Sequence, residues 1–209
     1  MLFRSHMGVP AKSLSEFIAL ARAQPGQLTV ASAGTGTSTH LSIELLKSLA
    51  KIDVVHVPFK GGGGGIVGVM GGQMAGVMTV LTLVLQQHNT GKIRILAVTS
   101  AARNPLAMDI PTFAEAGVPG YESVSWVGLF APRATQQPIL RKWNTEINRA
   151  IRDAEVVERY KAAGLIAGGG SEQAFAAFFL KETERWAALI KDRKSTRLNS
   201  SHITISYAV

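Results

Sequence analysis

The first patterned stretch of the chain places Leu14, Phe17, Ile18 and Ala21 on one helical face. Ser13 and Glu16 form a capping box at its start, and Pro25-Gly26 ends it. Leu28 to Ser32 reads as a short buried strand, and the small-residue loop Ala33 to Thr37 leads into a second helix. Leu41, Leu45 and Leu49 lie four apart on that helix, with Leu46 beside them. Val54 to Val57 is a β-branched strand. Five glycines, Gly61 to Gly65, follow Pro58-Phe59-Lys60. Ile66 to Met70 reads as a short helix weakened by Gly68, and Met74 to Thr79 as a strand after the Gly71-Gly72 turn. Leu81 to His88 reads as helical and Ile93 to Thr99 as a strand. Strands alternating with helices predict an α/β layer with a mostly parallel sheet.

The remainder is mainly helical. Pro111 to Gly117 reads as a helical turn closed by glycine, and Glu122 to Ala131 as an extended segment carrying Trp126. Pro138 is expected at a helix's first position, with Leu140, Trp143, Ile147 and Ile151 on one face. A further helix is expected over Val156 to Ala163, stopped by Gly164. The last begins after Ser171, with Phe175, Phe179, Trp186 and Ile190 on one side. From residue 193 the chain turns Ser/Thr-rich without helical period, and 193–209 reads as a non-native tail.

Charge sharpens this picture. The net formal charge is +8. Between Phe17 and Met108 the only acids are Glu44 and Asp53, against Arg22, Lys47, Lys51, Lys60, Lys92, Arg94 and Arg103. Such a region holds positive potential and attracts anions. The basic residues are scattered and lack interleaved aromatics, which argues against nucleic acid and for a small anion. Absence of cysteine excludes disulfides and thiolate metal sites. Ile66 to Leu85 is uncharged and long enough to span a bilayer, but its glycines and Gln73 split it into two short elements.

Two loops carry candidate chemistry. Ser32-Ala33-Gly34-Thr35-Gly36-Thr37-Ser38-Thr39-His40 follows a strand and opens a helix. The first amides of a helix lack internal partners and lie along a positive dipole, so this loop suits a carboxylate or phosphate. A plain helix cap remains the other reading. Phe59-Lys60-Gly61 also follows a strand, with Lys60 able to face an anion or to sit in a solvated turn. It is not a Walker A loop, because the lysine precedes the glycines. His40, His56 and His88 lack metal-ligand spacing and read as packing or capping residues. Few carboxylates are available to assemble a catalytic pair. Trp126 is the aromatic candidate for a ligand cleft. An α/β enzyme acting on a phosphorylated substrate is the alternative.

Seven segments occur in an order and spacing that resemble one family: Ser13 to Gly26, Ala31 to Leu41, His56 to Gly62, Gly71 to Gln73, Gly91 to Ser100, Pro111 to Gly117 and Trp126 to Pro132. Together they resemble the periplasmic substrate-binding proteins of tripartite tricarboxylate transporters, the Bug or TctC family. The resemblance implies a type II-like periplasmic binding protein fold, two-lobed like a Venus flytrap, with its first lobe incomplete. It implies a nearly complete ligand-binding lobe over 10–124, and the hinge strand and C-terminal helices of the other lobe over 125–192. In the family, the loop matching Ser32 to His40 holds the ligand's carboxylate. A second loop, near the family's N-terminus, has no counterpart here. Thr79 stands where the family often has an acid, which implies a preference for plain carboxylates. A monomeric periplasmic receptor is expected, delivering its solute to membrane permease subunits without metal or cofactor. With one wall of the cleft incomplete, binding by this chain alone is expected to be weak.

Overall fold

The computed structural model describes residues 1–84, 88, 91–105 and 107–192. The expected tail 193–209 lies outside the described residues, as does most of the latter half of the helix expected over Leu81 to His88. The described residues fall into two compact units, Met1–Trp126 and a second from Val127.

The first unit is built on a five-stranded sheet. Its elements are β1 (Leu2–Ser5), α1 (Leu14–Ala23), β2 (Thr29–Ser32), α2 (Ser38–Ala50), β3 (Val55–Pro58), α3 (Gly62–Met70), β4 (Gly76–Thr79) and β5 (Arg94–Val98). Leu81–Leu83 forms a single 3-10 turn. The strand order is β3-β2-β4-β1-β5. β2 pairs in parallel with β3 and β4, whereas β1 runs antiparallel to both β4 and β5. The sheet is therefore mixed. β1 falls in a stretch to which the pattern assigned no element, yet it is an interior strand, buried throughout.

Alternation along the strands sorts their side chains into two apolar layers. Phe3, Val30, Met78 and Leu96 point to one layer, where Leu14, Phe17 and Ile18 of α1 and Ile43 and Leu46 of α2 meet them. Leu2, Ala31, Val77 and Ile95 point to the other, against Ile66 and Val69 of α3. The α1 start follows its capping residues: Ser13 Oγ accepts the Glu16 N–H at 3.2 Å, and Glu16 Oε2 accepts the Lys12 N–H at 2.7 Å.

Two helices differ from the pattern's expectation. The buried stripe of α2 is Thr39, Ser42, Ile43, Leu46 and Ala50, whereas Leu49 is 41% exposed. Four residues advance about 400° around a helix, so a Leu41-Leu45-Leu49 row drifts off a straight face. α3 starts at Gly62, not Ile66, and takes four glycines into its first turn and beyond. These glycines follow from packing. A Cβ at Gly65 would come within 3.0 Å of Ala31 Cβ and 3.1 Å of Val77 Cγ2, while one at Gly64 would come within 2.8 Å of Phe59 Cδ1. The helix thus lies close on the sheet, and the Phe59 ring fills the groove its missing side chains leave. Among the described residues no helix is long and apolar enough to cross a membrane. The described part of the Ile66 to Leu85 stretch, 66–84, is split among helix, turn, strand and 3-10 turn.

The second unit contains α4 (Gln137–Ala150), α5 (Ala154–Ala162) and α6 (Glu172–Asp192). Pro138 is the second residue of α4, not the first. Phe130 packs on Phe175 and Phe179 of α6, each at 5.4 Å between ring centroids. Neither α4 nor α5 contains a fully buried residue.

Candidate functional site

The parallel strands β2, β3 and β4 end at Ser32, Pro58 and Thr79, so the segments that follow them emerge at one edge of the sheet. That is the edge where open α/β sheets bind ligands. The first two segments are tied together. The Phe59 N–H donates to Ser32 O and the Gly61 N–H to Ala33 O, each at 3.0 Å. Thr79 lies against the start of α3, where a Cβ at Gly62 would come within 3.3 Å of its Oγ1. The starts of α2 and α3 therefore share this edge. Trp126, partly buried, ends the first unit and is not among these contacts.

The Ser32 to His40 turn is held mostly by its own groups. Gly34 has φ +138°, and a Cβ there would come within 3.2 Å of Phe59 O, so the turn needs glycine at this point. Thr37 caps α2: its Oγ1 donates to Gly34 O at 2.7 Å and accepts the His40 N–H at 3.4 Å. The Thr37 and Thr39 hydroxyls meet at 2.9 Å, and Thr39 Oγ1 accepts the Ala33 N–H at 3.0 Å. Ser32 Oγ accepts the Gly34 N–H at 3.1 Å, and His40 Nδ1 accepts the Gly36 N–H at 3.1 Å.

What remains outward is a smaller set. Thr35 and Ser38 are exposed, whereas Ser32, Thr39 and His40 are buried. The amides of Thr35, Ser38 and Thr39 have no partner among the described residues. They are the groups available to an anion, with the free amides of the glycines that open α3. Lys60 is exposed and Phe59 partly buried.

Because Thr37 Oγ1 joins three groups, Thr37→Ala is expected to cost about 1–2 kcal/mol. Thr37→Ser should recover most of that. Urea denaturation checks both, and an unchanged midpoint in the alanine variant would refute the capping role.

The two acids of the acid-poor stretch share one cation, which partly offsets their charge. Lys47 Nζ lies 3.5 Å from Glu44 and 3.9 Å from Asp53. Beneath the turn, His40 and His56 stack with centroids 3.9 Å apart, and His56 Nε2 meets Ser32 Oγ at 2.6 Å. Burial, then the neighbouring His40, push the His56 pKa down to about 4. Burial also lowers that of His40, outweighing the attraction of Glu44. The Ser32-His56 contact has the look of a nucleophile and its base. However, Ser32 is only 1% exposed, and a base so weakened takes few protons at neutral pH. The contact therefore supports the turn. Sequence spacing gave no sign of it: only the β2–β3 register brings His56 and Ser32 onto one face. Among the described residues no group of three or more His, Asp and Glu could hold a metal ion.

Known proteins resemble this chain. The sequence pattern of the Tripartite tricarboxylate transporter family receptor matches residues 3–195. The UPF0065 protein in the tcbD-tcbE intergenic region of Pseudomonas sp. (strain P51) is 38% identical over 92% of this chain and 58% of its own length. Protein BugT of Bordetella pertussis is 30% identical over 86% of this chain and 55% of its own. The chain thus spans little more than half the length of these relatives. The structure of R. palustris Rpa4515 with adipate superposes with a TM-score of 0.82 at 32% identity, covering 91% of this chain and 64% of that one. MatC (Rpa3494) from Rhodopseudomonas palustris with bound malate gives a TM-score of 0.78 at 31% identity, covering 90% and 65%. The mixed α/β architecture is accordingly that of periplasmic binding proteins, and the matched family is one of receptors, not enzymes. The chain belongs to the tripartite tricarboxylate transporter receptor family.

Proposed function

We propose that this chain is part of a periplasmic receptor that captures a small carboxylate at the carboxyl edge of the β2-β4 sheet and passes it to transporter permease subunits. The carrying observation is the set of Thr35, Ser38 and Thr39 amides left without internal partners at the start of α2. A carboxylate there meets N–H donors and the positive end of a helix dipole, in a region poor in acids. The adipate and malate held by the structural neighbours agree with such a ligand. Phe59, Lys60 and Gly61 form the neighbouring wall, and Thr79, buried behind the start of α3, favours plain carboxylates only by leaving no acid beneath it. We assign 10–124 to the ligand-binding lobe, 125–192 to the hinge strand and helices of the other, and 193–209 to a non-native tail. Trp126 belongs to the hinge, and the receptor acts as a monomer.

A thermal-shift screen of mono-, di- and tricarboxylates tests this. It is run on this chain and on a version extended by the N-terminal segment of the Pseudomonas relative. At a hundredfold excess over Kd, binding stabilises by about 2.7 kcal/mol, a shift of several degrees. Ser38→Glu puts a fixed carboxylate at the α2 start and is expected to abolish the shift. A full shift in that variant would place the ligand elsewhere.

A further inference from the structure

The turn that faces the anion is clamped from below by two histidines. His40 comes from α2 and His56 from β3, and their rings stack at 3.9 Å and 15°. Because His40 Nδ1 accepts the Gly36 N–H, its own proton sits on Nε2, directed toward Glu44 Oε1 at 4.0 Å. His56 Nε2 meets Ser32 Oγ, which accepts the Gly34 N–H. Each ring therefore holds one glycine of the turn, His40 directly and His56 through Ser32.

We propose that His40 and His56 are a neutral, stacked pair of positioning residues. They set the Gly34–Gly36 turn and so aim the Thr35, Ser38 and Thr39 amides at the bound anion. This rests on the carboxylate-binding reading of that turn. The chemistry explains why the pair must stay uncharged. A proton on His40 Nδ1 would confront the Gly36 N–H with a second donor. Two imidazolium rings in van der Waals contact would repel each other. The charged groups around the stack are Glu44 and Lys47 of α2, with Asp53 beyond Lys47 just ahead of β3. Lys47 opposes protonation of both rings, and Glu44 favours it at His40, but burial is the larger influence. Folding lowers both pKa values. The contribution of both rings is therefore complete above the ordinary histidine value near 6.5, and that of His56 is lost as pH falls through about 4.

The test compares substitutions that keep or remove the hydrogen-bonding atom. Asparagine reaches the place of Nδ1, glutamine that of Nε2, and phenylalanine keeps only the flat ring. Amide hydrogen exchange of Gly36 and Gly34 is read at neutral pH, with adipate titration by calorimetry. His40→Phe is expected to speed Gly36 exchange about tenfold while His40→Asn stays near wild type. His56→Phe should do the same to Gly34, with His56→Gln near wild type, and each phenylalanine variant should weaken adipate about tenfold. If a phenylalanine variant does not fold, His40→Gln against His40→Asn carries the comparison, since glutamine leaves the Nδ1 position empty. Unchanged Gly36 exchange in a folded variant lacking that acceptor, or equal behaviour of the asparagine and phenylalanine variants, overturns the proposal. If exchange follows the expected order but adipate, malate and citrate all fail to bind the version extended by the N-terminal segment of the Pseudomonas relative, the positioning role stands and the carboxylate reading falls.

Discussion

Replacing Arg4 with methionine is expected to raise the unfolding free energy of the first unit by about 2–4 kcal/mol. Arg4 is fully buried in β1, between Val77 of β4 and Ile95 of β5. By strand alternation it shares the face of Leu2, within the apolar layer covered by α3. None of its three guanidinium nitrogens has a hydrogen-bond partner among the described residues. Burial pushes its pKa down to about 10, so it remains a cation at neutral pH. A buried unpaired charge forfeits its hydration and gains no Coulomb partner, while methionine fills similar length with a flexible apolar chain. Native-state exchange of the β4 and β5 amides in increasing urea gives the measurement. No gain, or a loss, would mean that the guanidinium holds an acceptor in solution and that β1 needs it.

Phe17→Ala is expected to act in the opposite direction, costing about 3–5 kcal/mol. Its ring meets Phe3 of β1 edge-on at 4.8 Å, and Phe3 meets Phe113 at 6.5 Å. Phe113 stacks on Tyr121 at 4.0 Å, whose hydroxyl donates to Ser42 O of α2 at 2.9 Å. Removing Phe17 leaves a cavity where α1, the sheet and α2 meet, and rings fixed on the other side cannot collapse into it. Against a typical total of about 5–15 kcal/mol, the loss approaches unfolding. Trp143→Ala, at a side chain 62% exposed, should change stability by less than about 0.5 kcal/mol. Exchange of the β2 and β5 amides reads the first effect. A loss below about 1 kcal/mol would contradict the packing described.

The two substitutions mark where local pattern is and is not informative. Phe17 was readable as a core residue because it sits on a helical stripe behind a capping box. Strands β2, β3 and β5 were readable because short apolar runs are bounded by turn residues. β1 was not, since four residues that include Arg and Ser carry no strand signature without their neighbours. The α2 start was legible in Thr37, whose cap acts over three residues. Its buried face was not, because Ser42 is turned inward by Tyr121 and by Ser123, whose hydroxyl lies 2.6 Å from its own.

The same division runs through the site. Order and spacing of short motifs in the sequence determined the family, the α/β alternation and the loop that opens α2, because caps, turns and strand ends depend on nearby residues. Which donors of that loop face outward was decided only in three dimensions. Ser32, Thr37, Thr39 and His40 look equivalent to Thr35 and Ser38 along the chain. The first four are drawn inward, to His56 across the β2–β3 register, to the backbone of Gly34 and Gly36, and to one another. The glycine run likewise forms a helix that lies against Phe59, Ala31 and Val77, contacts set by the tertiary fold. A hydrogen bond or a packed ring between residues 24 positions apart, such as Ser32 and His56, depends on strand pairing, and no local pattern carries that information.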